Sequence, residues 1–121
     1  MLLVDTTLVG VGGLLGGLAR IGISSLVALV AGDRFPWGTL AVNLSGSFAI
    51  GLLAGSAIGA SSLGLFLMTG VLGSYTTVST FSLQTLFLLE QGLIARALAN
   101  IAGSVLLCLL AASLGYRLMA G

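Results

Sequence analysis

The chain has 121 residues, of which 58% are hydrophobic and only 6% charged, with a formal net charge of +1 from four basic against three acidic side chains. An ordinary soluble domain carries about 25% charged residues; this composition cannot cover a globular surface with polar groups, so water is excluded as the main solvent and the chain is expected in a membrane. Histidine is absent and Cys108 is the single cysteine, which removes a disulfide framework, a zinc cluster within one chain and a His-based catalytic triad, and the small net charge leaves no electrostatic surface for a nucleic acid.

The first apolar stretch runs from about Leu8 to Ala31 and contains one charge, Arg20. No basic segment or cleavage pattern of a secretory signal precedes it, so it is read as a membrane helix. It ends at Gly32-Asp33-Arg34-Phe35-Pro36-Trp37-Gly38, where glycine and proline break helix and Trp37 suits a membrane interface. No charge falls between Arg34 and Glu90, more than twice the about 20 residues that one span needs. That stretch is expected to cross twice, over 39–58 and 63–89. A fourth span covers 97–114. The expected architecture is an all-α membrane protein of four helices, a single domain over 1–121 with function inside the bilayer.

Orientation is weakly specified. With both termini on one side, that side carries Arg117 and the other Arg34 and Arg96, while Arg20 lies within a span; such a small bias permits insertion both ways. Gly12, Gly13, Gly16 and Gly17, and again Gly51, Gly55 and Gly59, form small-xxx-small pairs that let helix backbones approach closely. Each pair fits packing within one subunit equally well. Four short helices nevertheless enclose a solute poorly, so an oligomer, and with two-way insertion an antiparallel dimer, is expected.

The polar residues cluster. After Gly70 and Gly73 come hydroxyls at Thr76, Thr77, Ser79, Thr80 and Ser82. One or two hydroxyls back-bond routinely within a membrane helix. This density fits a discontinuous third helix whose freed backbone groups face an ion or a cavity. Asn43 and Ser47 lie one turn apart in the second span, and the Asn43 amide either donates to an anion or bonds another helix. Asn100, Ser104 and Cys108 form a stripe at four-residue spacing that either packs or lines a path. Arg20, far from other charges, is expected to face water inside the assembly and to raise the local anion concentration. Donors without acids point to anion passage, and the ring edge of Phe81 adds positive character if it lines the path.

These residues resemble the Fluc (CrcB-like) fluoride channels. Gly12-Gly13-Leu-Leu-Gly16-Gly17-Leu-Ala-Arg20 is similar to the family's first-helix pattern, Gly38-Thr39-Leu-Ala-Val-Asn43-Leu-Ser-Gly46-Ser-Phe48 to its second, and Gly73-Ser-Tyr-Thr76-Thr77-Val-Ser79-Thr80-Phe81-Ser82 to its broken third helix, usually written TTFSTFS. The resemblance covers nearly the whole chain. It implies a dual-topology antiparallel dimer in the cell membrane of a bacterium or archaeon, passing fluoride by two pathways with a sodium ion at its centre. It further implies that Asn43, Phe81, Ser79, Thr80 and Ser104 line the fluoride pathway, that Arg20 lies near the aqueous vestibule, and that the backbone carbonyls of Gly73 and Thr76 hold the sodium.

The chain departs from the family pattern at four positions. Val78 stands for the other pore phenylalanine, Gln84 for a glutamate, Asn100 for a tyrosine and Cys108 for a hydroxyl residue. These departures admit either a homodimer with a modified pore or one half of a heterodimer whose partner completes a conducting pathway. Two other functions compete. A small multidrug-type transporter shares the length and topology, yet needs a membrane-embedded acid, and the first span offers Arg20 instead. A non-conducting partner subunit fits the degenerate pore positions.

Overall fold

The computed structural model describes residues 2–32 and 34–121; Asp33 of the turn expected after the first span lies outside them. All regular structure among the described residues is helical: α1 (Leu2–Ala31), α2 (Trp37–Ala54), a composite helix α3 over 62–75, α4 (Ser79–Glu90) and α5 (Ile94–Ala120). Three of these, α1, α2 and α5, are long and apolar enough to cross a bilayer. With large apolar side chains exposed along α1 and α5, such a molecule is a membrane protein.

The helix boundaries differ from those read in the sequence for local reasons. α1 begins at Leu2, six residues before Leu8, because Thr6 and Thr7 donate back to the carbonyls of Leu2 and Leu3, both at 2.8 Å, and so remain inside the helix. It stops where Gly32 takes φ +82°, a left-handed conformation that glycine adopts without steric cost, and its N–H returns to the Ala28 carbonyl at 2.9 Å. α2 ends at Ala54, short of Ile58, because Gly55 is a poor helix residue and the Ser56 hydroxyl turns back to the Leu53 carbonyl at 2.8 Å. A 3₁₀ turn, Ala57–Ala60, follows. Ser61 then caps α3, its hydroxyl accepting from the Gly64 N–H at 3.1 Å.

The stretch expected as a broken third span is two helices, each shorter than the about 20 residues needed to cross alone. α3 is wound as Ser62–Gly64, a π-helical stretch Leu65–Leu72, and a final α-turn Gly73–Tyr75. Wide turns of this kind are rare and often lie at functional sites, and no feature of the hydrophobic pattern announces this one. The break falls at 76–78, three residues beyond Gly73, and α4 resumes at Ser79. α4 closes on a Schellman turn, with Gly92 at φ +78° and the Leu93 N–H donating to the Leu88 carbonyl at 2.9 Å.

Glycines set the packing. A Cβ on Gly12 would lie 2.8 Å from the Phe66 carbonyl oxygen, and one on Gly16 would collide with the Val71 carbonyl, so α1 rests directly on the backbone of α3. Gly55 meets the Tyr116 carbonyl oxygen in the same way at 2.7 Å, while Gly51 and Gly115 approach Ala112 and Phe48 backbone atoms, locking α2 to α5. Gly38 joins α1 and α2 at Ser24. The small-xxx-small pairs headed by Gly12 and Gly51 thus pack within the chain. Without a hydrophobic drive between helices in lipid, this backbone proximity is the main source of attraction. α2 lies at the centre, with Val42 fully buried and Ser45 bonded to the Tyr75 hydroxyl at 2.9 Å.

Candidate functional site at the helix break

A break in a membrane helix frees backbone groups that must find partners. Thr76 takes extended geometry, φ −78° and ψ 157°. The Thr77 N–H, which a continuous helix would aim at the Gly73 carbonyl, instead donates to Asn43 Oδ1 at 2.7 Å. Asn43 Nδ2 donates in turn to the Thr77 carbonyl at 2.8 Å. One side-chain amide of α2 therefore satisfies both polar groups of the residue at the break, and the Gly73 carbonyl is released from the helical ladder. The Thr77 side chain completes the arrangement: its Oγ1 accepts from the Thr80 N–H at 3.1 Å and so caps α4, with the hydroxyls of Ser79 and Thr80 each 3.2 Å away. Gly46 leaves room for this knot, since a Cβ there would strike the Thr76 methyl group.

Cavities flank the knot on both sides. One of about 170 Å³ lies between α1, α2 and α4, lined by Arg20, Ser24, Thr39, Thr77 and Thr80. Another of about 260 Å³ opens on the opposite side, lined by Asn43, Ser47, Thr76, Phe81, Ser104 and Cys108. A third, of about 720 Å³, shares Ser24, Thr39 and Thr80 with the first and widens past Gln84 to Arg34 and Arg96 at the loop end of the helices. Among the described residues no lining group is an acid. The polar surface consists of hydroxyls, amides and guanidinium groups, which suits an anion more than a cation.

The expected site residues are thereby divided. Asn43, Phe81 and Ser104 meet at one cavity, with Thr76 beside them. Arg20 and Thr80 meet at another. Thr77 borders both. Ser79 lines neither and turns its hydroxyl toward Thr77. Asn43 emerges as a clasp on the backbone: its carbonyl and one N–H are spent on Thr77, and one N–H hydrogen remains. Gly73 is exposed and Thr76 half-buried at the break itself.

The stripe of Asn100, Ser104 and Cys108 also divides. Asn100 is 2% exposed and faces α4, donating to Thr85 Oγ1 at 2.8 Å, whereas Cys108 is half-buried at the cavity with Phe81. Val78 is 77% exposed and lies at the mouth of the cavity that Asn43 and Phe81 line. Gln84 faces the large cavity with a buried Oε1 that accepts no hydrogen bond from the described residues. Sequence reasoning missed Ser24, Thr39 and Thr85. Spacing offered a signal for two of them: Ser24 lies four residues after Arg20 and donates to its carbonyl at 2.7 Å, and Thr85 lies four after Phe81 and does the same at 2.8 Å. Thr39, buried at the start of α2, carried none.

Residues 7–116 match the model of the family described as CrcB-like protein, Camphor Resistance (CrcB). The chain is 49% identical over 117 residues to the fluoride-specific ion channel FluC 2 of Bradyrhizobium diazoefficiens, covering 92% of this chain and 85% of that one. It is 48% identical over 114 residues to the fluoride-specific ion channel FluC of Opitutus terrae, covering 89% and 86%. Identity reaches 50% over 113 residues with the protein of the same name from Methylocella silvestris, covering 88% and 86%. The family match spans α1 from residue 7 through the helix break into α5, and the chain belongs to the CrcB-like, or Fluc, family.

Proposed function

We propose that this chain is a subunit of a fluoride-selective channel of the cell membrane that lets fluoride leave the cell passively, and is a channel rather than an enzyme. The observation that carries the reading is the lining at the helix break: donors from α2, α4 and α5 converge with no acid among them, in a chain whose relatives are named fluoride-specific ion channels. Fluoride is small and strongly hydrated, so a path that strips its water must replace it with dense, fixed donors. The remaining N–H of Asn43, the hydroxyls of Ser104 and Thr80 and the edge of Phe81 supply such donors, Ser79 stands at the N-terminal turn of α4, and Arg20 raises the anion concentration at the approach.

In this reading α3 and α4 together make a fourth, broken span. Two copies insert in opposite orientations and cover the apolar and hydroxyl surfaces that one chain leaves open. The carbonyls of Gly73 and Thr76 would hold a sodium ion between them. The released Gly73 carbonyl fits that role, because a hard cation takes neutral oxygen ligands, and His, Cys, Asp and Glu form no metal-binding cluster among the described residues. The exposed Val78, where the family pattern has phenylalanine, supports a second version in which a different subunit of the same family completes the pathway.

The test is fluoride efflux from liposomes containing the purified chain, followed with a fluoride electrode and with chloride as the comparison. Fluoride flux far above chloride flux is expected. Equal flux of the two ions refutes selectivity, and a silent chain that conducts only with a second family member establishes the heterodimer.

A further inference from the structure

Few contacts hold α4. Of its 12 residues only Thr85 and Leu88 are buried, and in a bilayer an apolar side chain gains little by exchanging lipid for protein, so packing sets the rotation of such a helix weakly. Its direct polar tie to α5 among the described residues is the bond from Asn100 Nδ2 to Thr85 Oγ1 at 2.8 Å, between groups 2% and 8% exposed. The tie extends in both directions. Thr85 Oγ1 donates to the Phe81 carbonyl at 2.8 Å, and Ser104 Oγ donates to Asn100 Oδ1 at 3.4 Å. Ser104 and Phe81, the ends of this line, border the same cavity.

The donor count gives the line a direction. Thr85 has one hydroxyl hydrogen and uses it on the Phe81 carbonyl, so its oxygen must accept, and only the NH₂ side of Asn100 can serve it. The Asn100 carbonyl is then left to face Ser104. At 3.4 Å that last bond is weak, so an anion entering the cavity can draw the Ser104 hydrogen without breaking the Thr85–Asn100 pair.

We propose that Asn100 and Thr85 are positioning residues of the ion pathway, which fix the rotation of α4 and hence the place of the Phe81 ring, while Asn100 holds the Ser104 hydrogen in reserve for the anion. The inference rests on the channel function proposed above. It assigns a task to a position at which this chain departs from the family pattern, and to Thr85, which the family pattern did not mark.

The experiment uses full-length protein reconstituted in liposomes, with Thr85→Val, Asn100→Leu, their combination, and Thr85→Ser, which keeps the hydroxyl. Fluoride efflux and thermal unfolding are measured for each, together with the fluorine NMR resonance of a fluorinated phenylalanine at position 81. Thr85→Val and Asn100→Leu are each expected to lower efflux about tenfold, the scale of one interhelical hydrogen bond, and the combination no further, because the two act as one unit. Both should shift or broaden the Phe81 resonance, and Thr85→Ser should restore rate and resonance. Additive losses, an unmoved resonance, or a Thr85→Ser variant as impaired as Thr85→Val would overturn the proposal. If the unmodified chain conducts nothing either alone or with a second family member, the channel reading fails by itself, whereas the resonance and the unfolding cycle still decide whether the pair positions Phe81.

Discussion

The side-chain amide of Asn43 and the backbone of Thr77 exchange two hydrogen bonds, the N–H of Thr77 donating at 2.7 Å and its carbonyl accepting at 2.8 Å. Sequence spacing separates these residues by 34 positions, yet the exchange makes the helix break possible. An amide carries its donor and its acceptor on two neighbouring atoms, which matches the separate N–H and carbonyl of an orphaned residue at a break.

Replacing Asn43 with Ala leaves a backbone donor and an acceptor of Thr77 without partners, at about 1–3 kcal/mol for each buried group. The variant should lose roughly 2–6 kcal/mol by denaturant titration in detergent. Asn43→Asp is expected to be no better, since a carboxylate still accepts from the Thr77 N–H but faces the Thr77 carbonyl with a second acceptor. Equal stability of Asn43→Ala and the parent would remove the clasp.

Gly16 and Gly10 make a matched pair on one helix. A Cβ on Gly16 would run into the Val71 carbonyl, whereas one on Gly10 meets nothing within 4 Å. Gly16→Ala should therefore destabilise by about 1–3 kcal/mol through forced separation of α1 and α3. Gly10→Ala should be neutral or better by up to about 1 kcal/mol, since alanine is the stronger helix former. Unfolding of the two variants side by side checks the expectation.

Gln84 carries a buried acceptor that no described residue serves. Gln84→Met keeps the length and removes the unsatisfied group, so it should raise stability by about 1 kcal/mol. A loss of that size would mean that the amide has a partner in the assembled protein.

Cys108 is the chain's single thiol and borders the cavity with Asn43 and Phe81. If ions pass there, a small cationic thiol reagent added to liposomes should slow fluoride efflux severalfold as the cavity is filled, and Cys108→Ser should abolish the sensitivity. Unchanged efflux after complete labelling, verified by mass, would place the path elsewhere.

Much of this was legible in one dimension. The apolar stretches, the glycine pairs and the hydroxyl cluster each state a local physical need: about 20 apolar residues to cross a bilayer, missing side chains where backbones touch, polar groups where a helix cannot continue. Arg20 and Phe81 were visible because their residue types stand out from their surroundings. Thr39 was not, and the spacing of Thr85 from Phe81 was easily passed over, since a threonine in an apolar helix ordinarily bonds its own backbone, as Thr85 also does. The π-helical Leu65–Leu72 stretch left no mark either, because a shift of one residue in the hydrogen-bond ladder hardly alters an almost uniformly apolar pattern.

The sequence by itself determined the solvent, the all-helical class and the place along the chain where the helix must break, because these follow from composition and from neighbours a few residues apart. Only the tertiary structure decided what the polar groups do once brought together. It committed Asn43 to Thr77, turned Asn100 away from the cavity toward Thr85, and left Cys108 facing Phe81. A hydrogen bond is specified by distance and direction, and both are set by how helices cross, a property of side chains and backbones that meet only after the chain has folded.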